Sequence, residues 1–256
     1  MLETAKKAAK EGGKVALKYF KKEIKFEKKP DDSFVSAADT EAEEAIKKVI
    51  LEKFPSHAVK GEETGKTGKG SIVWHVDPID GTSNFKSRIP YFSVSIAVEK
   101  DGRFILGVVY SPVRDEMYHA EEGKGAFLNG KRIKVNDLSC REGLHIMDVS
   151  FRKNKPEKKP RLIEMMLKIS VRFRNFGTCS LEMMEVAKGN AVSFIADASS
   201  PHDFAAGAVI VKEAGGTATD CFGNELTGKS TTIAAANNKE NHEKIVQITE
   251  KFFSSL

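Results

Sequence analysis

Apolar residues recur at helical spacing through residues 2–20, where Ala5, Ala8, Ala9, Val15, Ala16, Tyr19 and Phe20 predict an amphipathic helix. A lysine-rich stretch, 21–29, stops at Pro30, and Asp31-Asp32-Ser33 reads as a turn. A second helix is predicted over 37–54, with Ala42, Ala45, Ile46, Val49 and Ile50 on one face and Pro55 ending it. The period then changes. Strand-like runs at 72–76, 92–98, 104–110 and 117–120 are separated by glycine and aspartate turns, and 124–135 reads as a hairpin about Asn129-Gly130. A weakly patterned region, 136–144, and a basic, proline-containing stretch, 152–161, read as loops. Beyond them helices at 161–169, 180–188, 201–214 and 238–253 alternate with strands at 171–176, 191–196, 217–220 and 231–236. A mainly antiparallel first half and an alternating second half predict layered sheets and helices, in units 1–140 and 141–256.

Composition agrees with a packed protein. The chain has 256 residues, 40% of them apolar, and 20 glycines, which excludes disordered and collagen-like classes. Its net charge of +5 is too diffuse over this length to imply nucleic acid, and the lysine clusters near 21–29 and 153–159 read as solvated surface. No apolar run approaches a bilayer span, and the charged start after Met1 does not read as a signal peptide. Three widely spaced cysteines, Cys140, Cys179 and Cys221, support neither a disulfide framework nor a zinc site. A soluble, cytoplasmic protein with no membrane and no nucleic-acid partner is expected.

One motif misleads. Residues 223–230, Gly-Asn-Glu-Leu-Thr-Gly-Lys-Ser, match the phosphate-loop pattern letter for letter, but that loop must open a helix. Here Ser230-Thr231-Thr232-Ile233 is β-branched, and only 26 residues follow Ser230. Residues 61–67 miss the pattern by one position.

The informative stretch is Trp74-His75-Val76-Asp77-Pro78-Ile79-Asp80-Gly81-Thr82-Ser83-Asn84-Phe85. A strand ends in a turn with two carboxylates three residues apart, Pro78 restricting the backbone between them. Gly81 permits a tight turn, and Thr82-Ser83 can start a helix whose amides face an anion. Packing two aspartates there without a cation is costly in repulsion and desolvation. An Asx-rich turn would explain Asp77 and Gly81 but not the ensemble. Three acidic positions fit around it: Glu62-Glu63 at an apparent strand end, Asp39 in Ser36-Ala37-Ala38-Asp39, and Asp203 in Ser200-Pro201-His202-Asp203. The last two are also S-x-x-D capping boxes, a sufficient explanation by itself, yet a capping carboxylate can bind metal as well.

With these residues together the chain resembles the inositol monophosphatase family of metal-dependent, lithium-sensitive sugar phosphatases. The signature D-P-[IL]-D-G-T-x-N-F spans Asp77 to Phe85, and G-E-E is Gly61-Glu62-Glu63. D-x-x-V-[ST]-x-x-D spans Asp32 to Asp39, and the C-terminal element is His202-Asp203-Phe204-Ala205-Ala206-Gly207. Residues 123–130 fit the family's G-x-G-A-x-x-N-G hairpin. The resemblance implies an αβαβα five-layer sandwich, with a mainly antiparallel N-terminal sheet and a mixed C-terminal one, in a homodimer.

It also implies roles. Glu62, Asp77 and the Ile79 carbonyl would hold one Mg²⁺; Asp77, Asp80 and Asp203 a second; and Glu62 with Asp39 a weaker third. Thr82 and Asp39, with Glu63, would orient and deprotonate the attacking water, while the Gly81 and Thr82 amides cradle the phosphate. Asp80, Asp203, Gly177-Thr178-Cys179 and Asp197 would meet the sugar, and Arg172, Arg174, Lys86 and Arg88 a second phosphate, where surface charge is the alternative reading. His202 stands where the family usually has tryptophan, and the spacing of Asp197 is close to the family's rather than identical. The implied substrate is inositol monophosphate or a similar sugar phosphate. Fructose 1,6-bisphosphate, NADP⁺, 3′-phosphoadenosine 5′-phosphate and a silent RNA-binding or scaffold role are the alternatives.

Overall fold

The computed structural model describes residues 1–29, 34–148, 159–197 and 200–255. Helices α1 (Leu2–Phe20) and α2 (Ala37–Lys53) bury small apolar faces, Ala5, Ala8, Ala9 and Ala16 on one and Ala38, Ala42, Ile46 and Ile50 on the other, so their backbones approach closely. Between them β1 (Phe26–Lys28) and β2 (Phe34–Ser36) pair as a short antiparallel hairpin. Asp32 and Ser33 of the predicted upstream motif, and 152–158 of the predicted basic loop, lie outside the described residues.

The large sheet contains β3 (Ala58–Gly61), β4 (Gly65–Thr67), β5 (Ile72–Asp80), β6 (Ser93–Lys100), β7 (Arg103–Ser111), β8 (Glu116–Glu121), β9 (Gly125–Leu128) and β10 (Lys131–Ile133). Their order is β10-β9-β8-β7-β6-β5-β3-β4, and every pairing is antiparallel except β3 with β5. The second sheet, in the order β12-β11-β13-β15-β14, is mixed. It holds β11 (His145–Asp148), β12 (Phe173–Arg174), β13 (Ser193–Ala196), β14 (Thr217–Thr219) and β15 (Ile233–Ala236). Helices α5 (Cys179–Ala187) and α6 (Pro201–Glu213) pack between the sheets, and α4 (Lys159–Leu167) and α7 (Lys239–Phe253) cover the outer face of the second. With α1 and α2 on the far face of the large sheet, the expected five layers are present. Among the described residues no helix is long and apolar enough to cross a membrane.

Element boundaries differ from expectation where local chemistry competes with periodicity. The predicted 152–161 loop turns helical at Lys159, with Pro160 in the first turn, where its missing N–H costs nothing. The 171–176 strand contracts to two residues, leaving Val171 77% exposed. Strand β5 runs past its predicted end through Pro78 because the ladder with β6 shifts register between Asp77 and Asp80. A bulge is where a strand tolerates a residue that cannot donate.

Alternation along β5 positions the chemistry. Trp74 and Val76 join the core beneath α1 and α2, so His75 and Asp77 point to the opposite face, towards α6. That face carries a row of small residues across four strands, Ala97, Gly107, Ala120 and Ala126, in direct register. Helix α6 lies along this row: a Cβ on Gly107 would come within 2.3 Å of the Ala206 carbonyl oxygen. Ser95, paired with Asp77 in the ladder, donates through Oγ to the His202 carbonyl at 2.9 Å and fixes where α6 begins. Gly107→Ala must therefore displace backbone rather than a side chain. The expected cost is about 1–3 kcal/mol, as for other overpacked cores, measured as a lower denaturation midpoint with unchanged m-value.

Candidate active site

Four chain elements meet at one place. Strand β5 brings Asp77 and Asp80. The parallel neighbour β3 continues by a hydrogen bond from Glu62 N to the Val76 carbonyl at 3.1 Å, and brings Glu62 and Glu63. Helices α2 and α6 bring Asp39 and Asp203 at their third positions. Each predicted capping box forms. Asp39 Oδ2 accepts from Ser36 N and Ser36 Oγ, both at 2.8 Å, and Asp203 Oδ2 accepts from Ser200 N at 2.5 Å.

The carboxylates repel one another in a place only partly open to water, with Glu62, Glu63 and Asp203 half-buried. Asp39, Asp77 and Asp80 are buried. Burial, then the charges of Glu62, Asp80 and Asp203, push Asp77 well above the carboxylate range. Burial raises Asp203 to about 8, with Glu62 adding to it. It raises Asp80 to about 6 against the pull of the Ser180 hydrogen bonds, Asp39 to about 6 against those from Ser36, and Glu63 to about 7. Lys29 supplies a counter-charge, its Nζ 2.9 Å from Glu62 Oε1 and 2.5 Å from Glu63 Oε1. Although burial opposes its charge, these carboxylates hold the ammonium above the ordinary lysine range.

The donor chemistry fits an oxygen-seeking divalent cation: carboxylates facing one another in a partly hydrated patch, with no thiol or imidazole among them. Among the described residues, no three His, Cys, Asp or Glu side chains already converge on a metal-sized point. Closing on an ion would require the carboxylates to turn and Lys29 to yield. Thr82 Oγ1 donates to the Ile79 carbonyl at 3.1 Å, so two residues expected at the metal and its water hold each other.

The remaining expected residues are partly assembled. Gly81 is left-handed at φ 94°, and a Cβ there would sit 2.5 Å from Thr178 Cγ2, which ties α3 (Thr82–Lys86) to the 177–179 turn. Thr178 caps α5 by position without a side-chain bond. The Cys179 amide, expected at the sugar, donates to Asp80 Oδ1 at 3.1 Å. Asp197 is buried just after β13. His202 is half-buried, and its desolvation lowers it to about 4. Of the second-phosphate candidates, Arg172 donates to the Arg141 carbonyl and Arg174 to that of Phe173. Lys86 lies 3.2 Å over the Phe34 ring, and with Arg88 it lines a groove of about 540 Å³ beside Tyr19 and Phe20. The phosphate-loop match leads from a turn into β15, not into a helix.

Sequence reasoning missed the supports. Glu43 is fully buried on α2 and accepts from Glu63 N at 2.8 Å, from Thr64 N at 3.2 Å and from the Thr64 hydroxyl, while Lys47 pairs with it at 2.8 Å. The signal was a charged i, i+4, i+8 stripe, Asp39-Glu43-Lys47, on the apolar face of α2. Glu182 is buried on α5 and accepts from Phe176 N and from Gly177 N at 3.2 Å, bracing the turn beneath Gly81. Burial, then the Asp148 charge, raises it to about 9.

Comparison with known proteins matches this arrangement to one family. The model of the inositol monophosphatase family matches residues 1–252. A fructose-1,6-bisphosphatase/inositol-1-monophosphatase of Aquifex aeolicus is 39% identical over 98% of this chain and 96% of its own length. The Nus factor SuhB of Pasteurella multocida is 35% identical over 92% and 91%. Among solved structures, an IMPase of Thermotoga maritima superposes with a TM-score of 0.89 at 33% identity, covering 99% of this chain and 98% of that one.

The raised carboxylates fix the sign of a pH effect. Between the ordinary carboxylate value near pH ~4 and their folded values of about 6 to 8, the native state holds more protons than the unfolded chain. In EDTA, stability should therefore fall as pH rises through this window, read as a lower Tm at about pH 8 than at about pH 5.5. Mg²⁺ binds the deprotonated groups and should raise Tm more at the higher pH.

Proposed function

Because the chain belongs to the inositol monophosphatase family, we propose that it is a magnesium-dependent phosphomonoesterase acting on inositol monophosphate or a similar sugar phosphate. The observation that carries this reading is the set Glu62, Asp77, Asp80 and Asp203, facing one another at the end of β5, where the charge of Glu62 helps raise the proton affinity of Asp77 and Asp203. Glu62, Asp77 and the Ile79 carbonyl would hold one ion; Asp77, Asp80 and Asp203 a second; and Glu62 with Asp39 a third. Bound there, magnesium supplies Lewis acidity, which brings a water's pKa towards neutrality and offsets charge on the phosphate.

The chain's own groups do the rest. Asp39 and Glu63, at about 6 and 7, have proton affinities suited to accepting a water proton near neutral pH. The Thr82 hydroxyl would turn from the Ile79 carbonyl to orient that water. The Gly81 and Thr82 amides would hold the phosphate oxygens, and the 177–179 turn with Asp197 would face the hydroxyls of the leaving alcohol. The water oxygen forms the new bond to phosphorus as the ester P–O bond breaks, releasing the alcohol and inorganic phosphate.

A dual activity towards fructose 1,6-bisphosphate is favoured by the name of the Aquifex relative. The SuhB relatives raise the other reading, a chain that acts by binding and not by hydrolysis. Phosphate release from inositol-1-phosphate and from fructose 1,6-bisphosphate, each with Mg²⁺ and with EDTA, separates these. Release that EDTA abolishes is expected. Asp77→Asn should lower turnover by more than about tenfold, since it removes a ligand shared by two ions. Turnover within tenfold of the wild type would overturn the assignment.

A further inference from the structure

Asp80 is gripped by a helix that begins about a hundred residues later. The N-terminal amides of α5 donate to it, Cys179 N to Oδ1 at 3.1 Å and Ser180 N to Oδ2 at 2.8 Å. The Ser180 hydroxyl reaches Oδ2 at 2.5 Å, and the Ser93 hydroxyl lies 2.7 Å from that of Ser180 and 3.4 Å from Oδ2. Both serines have no exposed surface. Each hydroxyl has one proton. Ser180 gives its proton to the carboxylate, so Ser93 gives its own to Ser180, and the chain of donors polarises towards Oδ2.

Lone-pair accounting gives the consequence. Oδ2 accepts from an amide and a hydroxyl at short range, which fills both of its lone pairs, whereas Oδ1 accepts one amide and keeps a lone pair. A carboxylate held this way can offer a cation one oxygen and not two. That distinction separates hard cations: Ca²⁺ takes six to eight oxygens and accepts carboxylates through both, whereas Mg²⁺ demands a near-octahedral shell.

We propose that Ser180, supported by Ser93, makes Asp80 a one-oxygen ligand and thereby sets the site's preference for Mg²⁺ over Ca²⁺. Ser180 acts only through Asp80 and is a positioning residue. The proposal rests on the reading of Asp80 as a metal ligand.

The test is the pair of dissociation constants for Mg²⁺ and Ca²⁺, by calorimetric titration of the full chain without substrate. Ser180→Ala should shift the ratio towards Ca²⁺ by about tenfold, the scale of one charge-assisted hydrogen bond. Ser93→Ala should shift it in the same direction by less. Ser180→Thr, which restores the hydroxyl, should return the ratio towards the wild-type value. Asp80→Asn should weaken both ions. An unchanged ratio in Ser180→Ala, with Asp80→Asn weakened, overturns the role of Ser180 alone. Unchanged binding in Asp80→Asn overturns the ligand reading beneath it. Where Ser180→Ala does not fold, by its circular dichroism, Ser93→Ala decides: a shift supports the proposal, and no shift overturns it.

Discussion

Like charge held in a place only partly open to water is the constraint on which the rest of the molecule depends. Asp39, Asp77, Asp80 and Asp203 would relax apart, or draw in water, if the elements carrying them were free to move. They are not free, because each element is anchored by apolar packing on the side away from the site. Helix α6 lies in the channel of Ala97, Gly107, Ala120 and Ala126; α2 is buried against α1; and β5 is central in its sheet. The cost of the site is thus met by interfaces that do not touch it.

A shared economy of atoms runs through the carboxylates. Asp39 and Asp203 each give Oδ2 to the amide of a helix N-cap, Asp80 gives Oδ2 to α5, and Asp77 gives Oδ1 to the Ile79 amide at 2.9 Å. In Asp39, Asp77 and Asp203 one oxygen is used by the fold, while Asp80 also accepts the Cys179 amide through Oδ1 and keeps a lone pair there. A carboxylate anchored through one oxygen keeps its orientation when its partner oxygen is loaded or emptied, which is what a preorganised ligand needs. Capping and metal binding, which compete as readings of a sequence, are in the folded chain two ends of one group.

What was legible in the sequence follows from this geometry. The stretch from Asp77 to Phe85 was readable because strand end, turn and helix start are contiguous, and Asp39 and Asp203 because a capping box is a local pattern. Glu43, Ser93, Ser180 and Glu182 were not, since apart from Lys47 their partners lie from five to about a hundred positions away and nothing local marks a buried serine as a donor to a distant aspartate. Strand β11 escaped notice because its four residues, His145 to Asp148, are polar at both ends. His145 is satisfied only by the distant Ser193 hydroxyl and the Cys140 carbonyl. The phosphate-loop match failed for the complementary reason: its letters are right, but the β-branched residues after it belong to a sheet.

The energetics of the carboxylates also weigh between the readings the relatives raise. Neutral counterparts of Asp77 and Asp203 would keep the local hydrogen bonds and lose the repulsion. Groups driven far from their ordinary proton affinity by burial and by one another mark sites of chemistry more often than sites of contact. Lys29 fits the same argument. A lysine that only balanced charge would serve as well on the solvent side, whereas this ammonium stands between Glu62 and Glu63, where a bound cation would have to displace it.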